Sequence, residues 1–278
     1  MGQNIIQLDN SFEYKLICQG NTAEVFLYDK NKILKLFRKD FPLEIISTEL
    51  DIAKLISSDL VFVPKVFVLV KYKNRYGILY EKISGKDMIA EMLRKPFKIR
   101  SYSKALADTH AKIHTSTVDL SSDIKDKLIN NINATTDLSK QEKDKIVSYI
   151  KTLPDGKALC HFDFHPGNVM IKNNEFYVID WMTACNGNAA SDAARTYFLL
   201  RYGELLYANF FVKLVAHIVE KHIGKIYLRQ YKKLTGISDA EIKKWLLPIA
   251  AARLIEWIPK SEKIKLLKFI RKQLAKMI

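Results

Sequence analysis

Asp163, Asn168 and Asp180 stand near one another in the chain, and apolar runs at 169–171 and 176–179 follow the first two. Runs of that kind form short strands, which fix the polar side chains at their ends. A hydroxyl attacking a nucleotide γ-phosphate needs a carboxylate to orient it and take its proton. It also needs oxygen ligands for the magnesium that neutralises the phosphates. Asp163 meets the first need, and Asn168 with Asp180 the second.

The interval from Asp163 to Asn168 equals that of the catalytic loop of protein kinases, where Asp is the base and Asn a metal ligand. Phe162 stands where those enzymes carry Arg, and Ile179, Asp180 and Trp181 replace their Asp-Phe-Gly. The string HFDFHPGN followed by IDW instead resembles the aminoglycoside phosphotransferase and choline kinase-like family of small-molecule kinases. That resemblance implies a two-lobed protein kinase-like fold of the α+β class. A five-stranded antiparallel sheet with one helix would form the N-terminal nucleotide-binding lobe over 1–84. A mostly helical catalytic and substrate-binding lobe would occupy 85–278. It also implies ATP or GTP as phosphate donor, Mg2+ as cofactor, and a small-molecule hydroxyl as acceptor.

The elements that must position these groups are legible upstream. Residues 12–18, 24–28 and 32–38 read as strands, separated by turns at 19–23 and 29–31. Gly20, Asn21 and Thr22 in the first turn can set backbone N–H groups against phosphates. Period two puts Lys35 on one face with Ile33 and Phe37, where a phosphate-binding lysine would sit. An edge-strand lysine that discourages aggregation would look the same. The next helix, 43–57, carries Ile45, Ile46, Ile52, Ala53 and Ile56 on its apolar stripe with Glu49 among them. An inward carboxylate requires a partner, and Lys35 is the natural one, with Glu44 as the fallback carboxylate. Strands at 64–69 and 76–81 complete the sheet. By the resemblance, the backbone of Glu81 to Ile83 then meets the adenine edge.

Helices are expected at 87–93 and 101–114, an irregular polar insertion at 115–138, and a helix at 137–150. His110 and His114 lie one turn apart, but no Glu follows His110 as the zinc-protease pattern requires, so a packing or surface role is the expectation. His161, Asp163 and His165 can also be read as three metal ligands of a hydrolase. His110, His114, His217 and His222 sit in expected helices and complete no cluster near the motif, and that reading leaves Asn168, Asp180 and Lys35 without a role. Asp192, with Ser191 as its cap, opens a helix to about Tyr202 and resembles the family's brace of the catalytic loop. Further helices are expected at 208–221 and 224–234, then one begun by a capping box at Ser238 and Glu241 and kinked at Pro248. Glu256 is the candidate substrate contact, with a plain ion pair to Arg253 as the competing reading. The tail, 260–278, sets Ile264, Leu267, Ile270 and Leu274 against a basic face. Packing on its own lobe is expected in preference to an acidic membrane.

Composition bounds the rest. The 278 residues are 48% hydrophobic and 27% charged, as in ordinary soluble proteins, and no apolar run is long enough to span a bilayer. The N-terminus has no secretory pattern, and Gly2 lacks the Ser or Thr that myristoylation wants at position six. Three dispersed cysteines fit reduced thiols, and the expected location is the cytoplasm. A net charge of +15 invites a nucleic-acid reading. Its lysines are spread along the chain with no recognisable nucleic-acid module, which favours a solvated surface. The alternative from another class is a non-catalytic nucleotide-sensing or nucleic-acid-binding module. For the acceptor, aminoglycosides, macrolides, sugars and amino alcohols all stay open.

Overall fold

The computed structural model describes residues 5–203 and 210–277, with backbone alone over 210–217. Gly2, the expected helix start at Ala208, the His217 side chain and Ile278 lie outside the described residues. In chain order the first elements are β1 (Ile5–Gln7), β2 (Lys15–Gln19), β3 (Ala23–Leu27), β4 (Lys32–Phe37), α1 (Leu43–Asp59), β5 (Val66–Tyr72), β6 (Arg75–Glu81) and β7 (Lys86–Asp87). There follow α2 (Met88–Arg94), α3 (Ile99–Ile113), α4 (Ile124–Ala134), α5 (Lys140–Thr152), β8 (Ala158–Cys160), β9 (Val169–Lys172), β10 (Glu175–Val178) and β11 (Cys185–Gly187). The last are α6 (Ala189–Tyr202), α7 (Phe210–Thr235), α8 (Asp239–Ala252) and α9 (Lys260–Leu274). They form two compact units, Met1–Glu91 with Gly167–Met182, and Met92–Pro166 with Thr183–Ile278.

The first unit is built on a sheet of order β1-β5-β6-β4-β3-β2. The α+β class stands, but the sheet has six strands where five were expected. The added strand, β1, lies parallel to β5 with Ile5 opposite Leu69. Three exposed residues carry no alternation to announce such a strand. The alternation of β4 divides two cores. Leu34 and Leu36 join Leu8, Val70, Tyr72 and Leu79 on one face, while Phe37 packs with Ile46, Leu50, Leu69 and Ile78 on the face that α1 covers. On α1 the buried stripe is Ile46, Glu49, Leu50, Ala53 and Ile56, and Ile45 is exposed.

A hairpin of β9 and β10 and the short β7 complete this unit. Gly85 makes the junction possible, because a Cβ there would lie 2.1 Å from the Ile171 carbonyl oxygen.

In the helical unit, β8 and β11 pair with Cys160 opposite Cys185, and both thiols are buried and free. The polar stretch expected to be irregular holds α4, capped by Asp123, with Ile124, Leu128 and Ile132 buried at four-residue spacing. Its apolar residues are few, and the Ser, Thr, Asp and Asn around them hid the period. Helix α6 is capped by Asn188, three residues earlier than expected, so Asp192 lies inside its first turn. The capping box at Ser238 and Glu241 is present, and α8 runs through Pro248. The two helices expected at 208–234 are one, α7, continuous through Gly224. Helix α9 buries Leu266, Ile270 and Leu274, whereas Ile264 is exposed, so the apolar stripe is rotated from the expected one. Among the described residues no helix is long and apolar enough to cross a membrane.

Candidate active site

Lys35 is the centre of the polar cluster in the sheet unit. Its Nζ lies 2.7 Å from Glu49 Oε1 and 2.9 Å from Asp180 Oδ1, with the Phe37 ring beneath it at 5.4 Å. Burial alone would depress the Lys35 ammonium, but Asp180 and Glu49 more than offset it and its pKa stands above the ordinary value. Glu49 is almost wholly buried, and desolvation holds its carboxyl above the usual range against the pull of Lys35. The Tyr80 hydroxyl donates to the same Glu49 oxygen at 2.9 Å. Sequence reasoning missed Tyr80. The signal was there in period two, since Tyr80 pairs with Ile33 and Ile78 with Lys35 on the same face of the sheet.

Asn168 and Asp180 flank the hairpin of β9 and β10. Val169 pairs with Val178, and the Ile179 amide donates to the Asn168 carbonyl at 3.0 Å, so the two polar residues emerge side by side. Asp180 holds a positive φ of 64°, an uncommon conformation for a residue with a Cβ. An amide and a carboxylate offer only hard oxygen donors, which fit magnesium.

The turn of Gly20, Asn21 and Thr22 joins β2 to β3. Its Gly20 amide donates to Ala23 O at 2.8 Å, and Arg38 grips it through Gly20 O at 3.0 Å and Thr22 O at 2.9 Å. At the far end of β6, the Glu81 and Lys82 amides donate to Lys65 O and Asn31 O, each at 2.8 Å, and Ile83 is buried.

Asp163 belongs to the helical unit, on a loop whose backbone is held by Asp192. That buried carboxylate accepts from the His161 amide at 2.6 Å and the Phe162 amide at 3.0 Å. Phe162 is thereby fixed at φ 62°, a strained value for a bulky residue. Asp192 also faces His110 Nε2 at 3.0 Å and His114 Nε2 at 3.3 Å. The Nδ1 atoms of these histidines meet the hydroxyls of Tyr227 at 2.7 Å and Tyr231 at 2.6 Å. Burial lowers His110 to about 4, so near neutrality its ring is neutral. The carboxylate then assigns the proton to Nε2, and Nδ1 accepts from Tyr227. Although burial would raise the Asp192 carboxyl, His110 and His114 hold it far below the ordinary range. These three residues are close enough to ligate an ion. The hydrogen bonds that Asp192 accepts and the two tyrosine hydroxyls make them a brace, and His110 is fully buried, so of the packing and surface roles left open it takes the first.

Around the Asp163 carboxylate stand His165 Nε2 at 3.8 Å and Arg195 Nη2 at 4.0 Å. Arg195, from α6, lies over the Phe162 ring at 5.5 Å and reaches Glu256 Oε1 at 2.7 Å. Glu256 Oε2 meets Arg253 at 2.5 Å, and Arg253 in turn meets the buried Glu262 at 2.6 Å. Arg195 was not foreseen. A lone arginine in a helix gives no pattern that ties it to a loop some thirty positions earlier.

Comparison places the chain in a family. No curated protein matches the chain by sequence. Among solved structures, amicoumacin kinase hAmiN in complex with AMP-PNP, Ca2+ and Ami is similar at 15% identity and a TM-score of 0.62, over 96% of this chain and 89% of that one. The aminoglycoside phosphotransferase APH(2'')-Ib, ADP-bound, gives 17% identity and a TM-score of 0.58, over 93% and 92%. Choline kinase from Cryptosporidium parvum Iowa II gives 14% identity and a TM-score of 0.57, over 97% and 92%. These likenesses show the fold. The sequence profile described as the phosphotransferase enzyme family matches residues 13–214, and the chain belongs to that family.

Proposed function

We propose that this protein is a kinase of small molecules, moving the γ-phosphate of ATP or GTP to a hydroxyl group. The observation that carries the reading is the Lys35 ammonium shared between Glu49 and Asp180 at 2.7 and 2.9 Å. A buried lysine held by one carboxylate and turned toward a second, half-exposed one is arranged to meet phosphates beside a metal ion.

In this reading Glu49 orients Lys35 on the α and β phosphates, and the turn of Gly20, Asn21 and Thr22 covers them. Glu81 and Ile83 offer backbone to the base. Because the Glu81 and Lys82 amides are spent within the sheet unit, the donor assigned to adenine is the Ile83 amide. Asn168 and Asp180 would hold Mg2+, which when bound neutralises the phosphate oxygens. Asp163 orients the acceptor hydroxyl and takes its proton as the new P–O bond forms and the bond from γ-phosphorus to the bridging oxygen breaks. The fixed backbone of Phe162 and Asp192 keeps Asp163 from drifting. The reaction is assigned to the cytoplasm, where nucleoside triphosphate is abundant and thiols stay reduced.

Charge bears on the acceptor class without choosing one. Aminoglycosides are polycations that favour acidic pockets, whereas Glu256 and Glu262 are matched by Arg195 and Arg253. Sugars, macrolides and amino alcohols therefore rank beside aminoglycosides as acceptors. The test is magnesium-dependent consumption of ATP and GTP across a panel of these compounds. Turnover with one acceptor is expected, and Asp163→Ala should retain nucleotide binding and lose most of that turnover. Undiminished turnover in the variant would remove Asp163 from its role, while nucleotide binding with no acceptor consumed would favour a nucleotide-sensing module.

A further inference from the structure

Helices α3 and α7 pack along each other, joined by the His110 to Tyr227 and Gln230 to Asp108 hydrogen bonds. On one side they enclose a groove of about 450 Å³ lined by Arg100, Lys104, His222, Ile226, Arg229, Gln230 and Lys233. Four of these side chains are cationic, two arginines and two lysines. They come in pairs at i, i+4, Arg100 with Lys104 and Arg229 with Lys233, a spacing that places like charges side by side and costs helix stability. Arg100 also stands in the first turn of α3, where the helix dipole favours anions over cations.

Among the described residues none of the four forms an ion pair. Lys35, Arg38, Arg75, Lys125, Arg195, Arg253 and Lys263 have carboxylate partners, whereas exposed lysines such as Lys54 have none among the described residues, so what sets these four apart is their gathering in one groove. Asp108, one turn beyond Lys104, adjoins the groove and accepts from Gln230 at 2.8 Å. Unmatched cations gathered in a concave surface focus a positive potential, and two guanidinium forks suit phosphate oxygens. On α7 the lining residues run from His222 to Lys233, about 16 Å of helix. That length and volume suit a compact ligand with several phosphates better than a single phosphate.

We propose that the groove between α3 and α7 is a second ligand site, for a small, multiply phosphorylated molecule such as a nucleoside polyphosphate. It shares no residue with the proposed phosphotransfer machinery and stands or falls separately from it.

Inorganic tripolyphosphate is the probe, titrated calorimetrically without magnesium. Binding that persists in Lys35→Met, weakens as salt is raised, and falls at least about tenfold in Lys104→Gln/Arg229→Gln is expected. The double variant changes exposed side chains only and relieves both like-charge pairs, so it should melt no lower than wild type and keep the wild-type phosphate-transfer rate. The His222 ring resonances should move on binding in wild type. Tripolyphosphate binding that ignores the double variant, that vanishes in a folded Lys35→Met, or that leaves His222 unmoved would overturn the proposal. A short single-stranded oligonucleotide that outcompetes tripolyphosphate would also overturn it, making the groove a nucleic-acid surface.

Discussion

Arg195 donates to Glu256 at 2.7 Å, and the same nitrogen stands 4.0 Å from the Asp163 carboxylate. The position before Asp163, where protein kinases carry an arginine, is Phe162 here, and Arg195 brings a guanidinium over that ring from α6. Glu256, which also holds Arg253, is therefore linked to the Asp163 carboxylate through Arg195.

This arrangement separates two roles for Glu256. A carboxylate that binds an ammonium of the acceptor would, when neutralised, raise KM and spare kcat. Holding Arg195 predicts the reverse. Glu256→Gln should lower kcat by roughly tenfold, about 1.4 kcal/mol, with little change in acceptor KM. Arg195→Met should cost as much or more, and either change should add little on an Asp163→Asn background. Steady-state kinetics with the acceptor found in the panel decide it. A rise in KM alone would return Glu256 to direct substrate contact.

Lys35→Met leaves Glu49 buried without its counter-charge. Breaking a buried pair from one side costs on the order of 3–5 kcal/mol when the remaining group stays ionised. Glu49 already has its pKa raised by desolvation, so it can escape the penalty by taking a proton as pH falls. The loss of stability should thus be largest above neutrality and shrink toward pH 5. Urea denaturation of wild type and variant at several pH values measures this, and a loss independent of pH would mean that Glu49 is not the group responsible.

The parts that were legible in the sequence share a local signature. Lys35 and Glu49 were each recognisable because a charge on an apolar face at strand or helix period demands a partner, and the structure supplies it at 2.7 Å. Asn168 and Asp180 were visible as the ends of two apolar runs that pair as a hairpin. Strand β1 and helix α4 were not legible, the first because a parallel partner some sixty residues away leaves no local trace, the second because three apolar residues were diluted by polar ones. Tyr227, Tyr231 and Arg195 were hidden for a further reason. Their roles come from tertiary contact with α3 and the loop that carries Asp163, and nothing in their own helices distinguishes them from core or surface residues.

The brace at His110 predicts a pH dependence. Burial lowers His110 from 6.5 to about 4, so between those values the unfolded chain binds a proton that the folded ring refuses. Stability should therefore rise with pH across this window, by roughly 3 kcal/mol for a shift of this size. Asp192 acts in the same direction at lower pH. Its carboxyl is held down in the fold, so its contribution is present above the ordinary value of 3.8 and is lost as pH falls below it. His110→Gln keeps a donor to Asp192 without titrating. Urea midpoints should fall between pH 6.5 and 4 in wild type and much less in the variant. Parallel profiles would remove His110 as the cause.

Glu220 on α7 predicts the opposite slope. Desolvation, with Glu262 nearby, raises its carboxyl to about 7 from an ordinary 4.5. Between those values the folded protein keeps a proton that the unfolded chain has released, so this group takes stability away as pH rises through the window. Glu220→Gln mimics the protonated form. It should be neutral at pH 4.5, where wild type is protonated as well, and stabilising above pH 7, where Glu220 must ionise in place. Comparing melting temperatures of the two proteins at pH 4.5 and 8 isolates this from His110, whose contribution is common to both and cancels in the difference at each pH. A variant that is destabilised at pH 8 would show that ionised Glu220 makes a favourable contact, and would reverse the sign argued here.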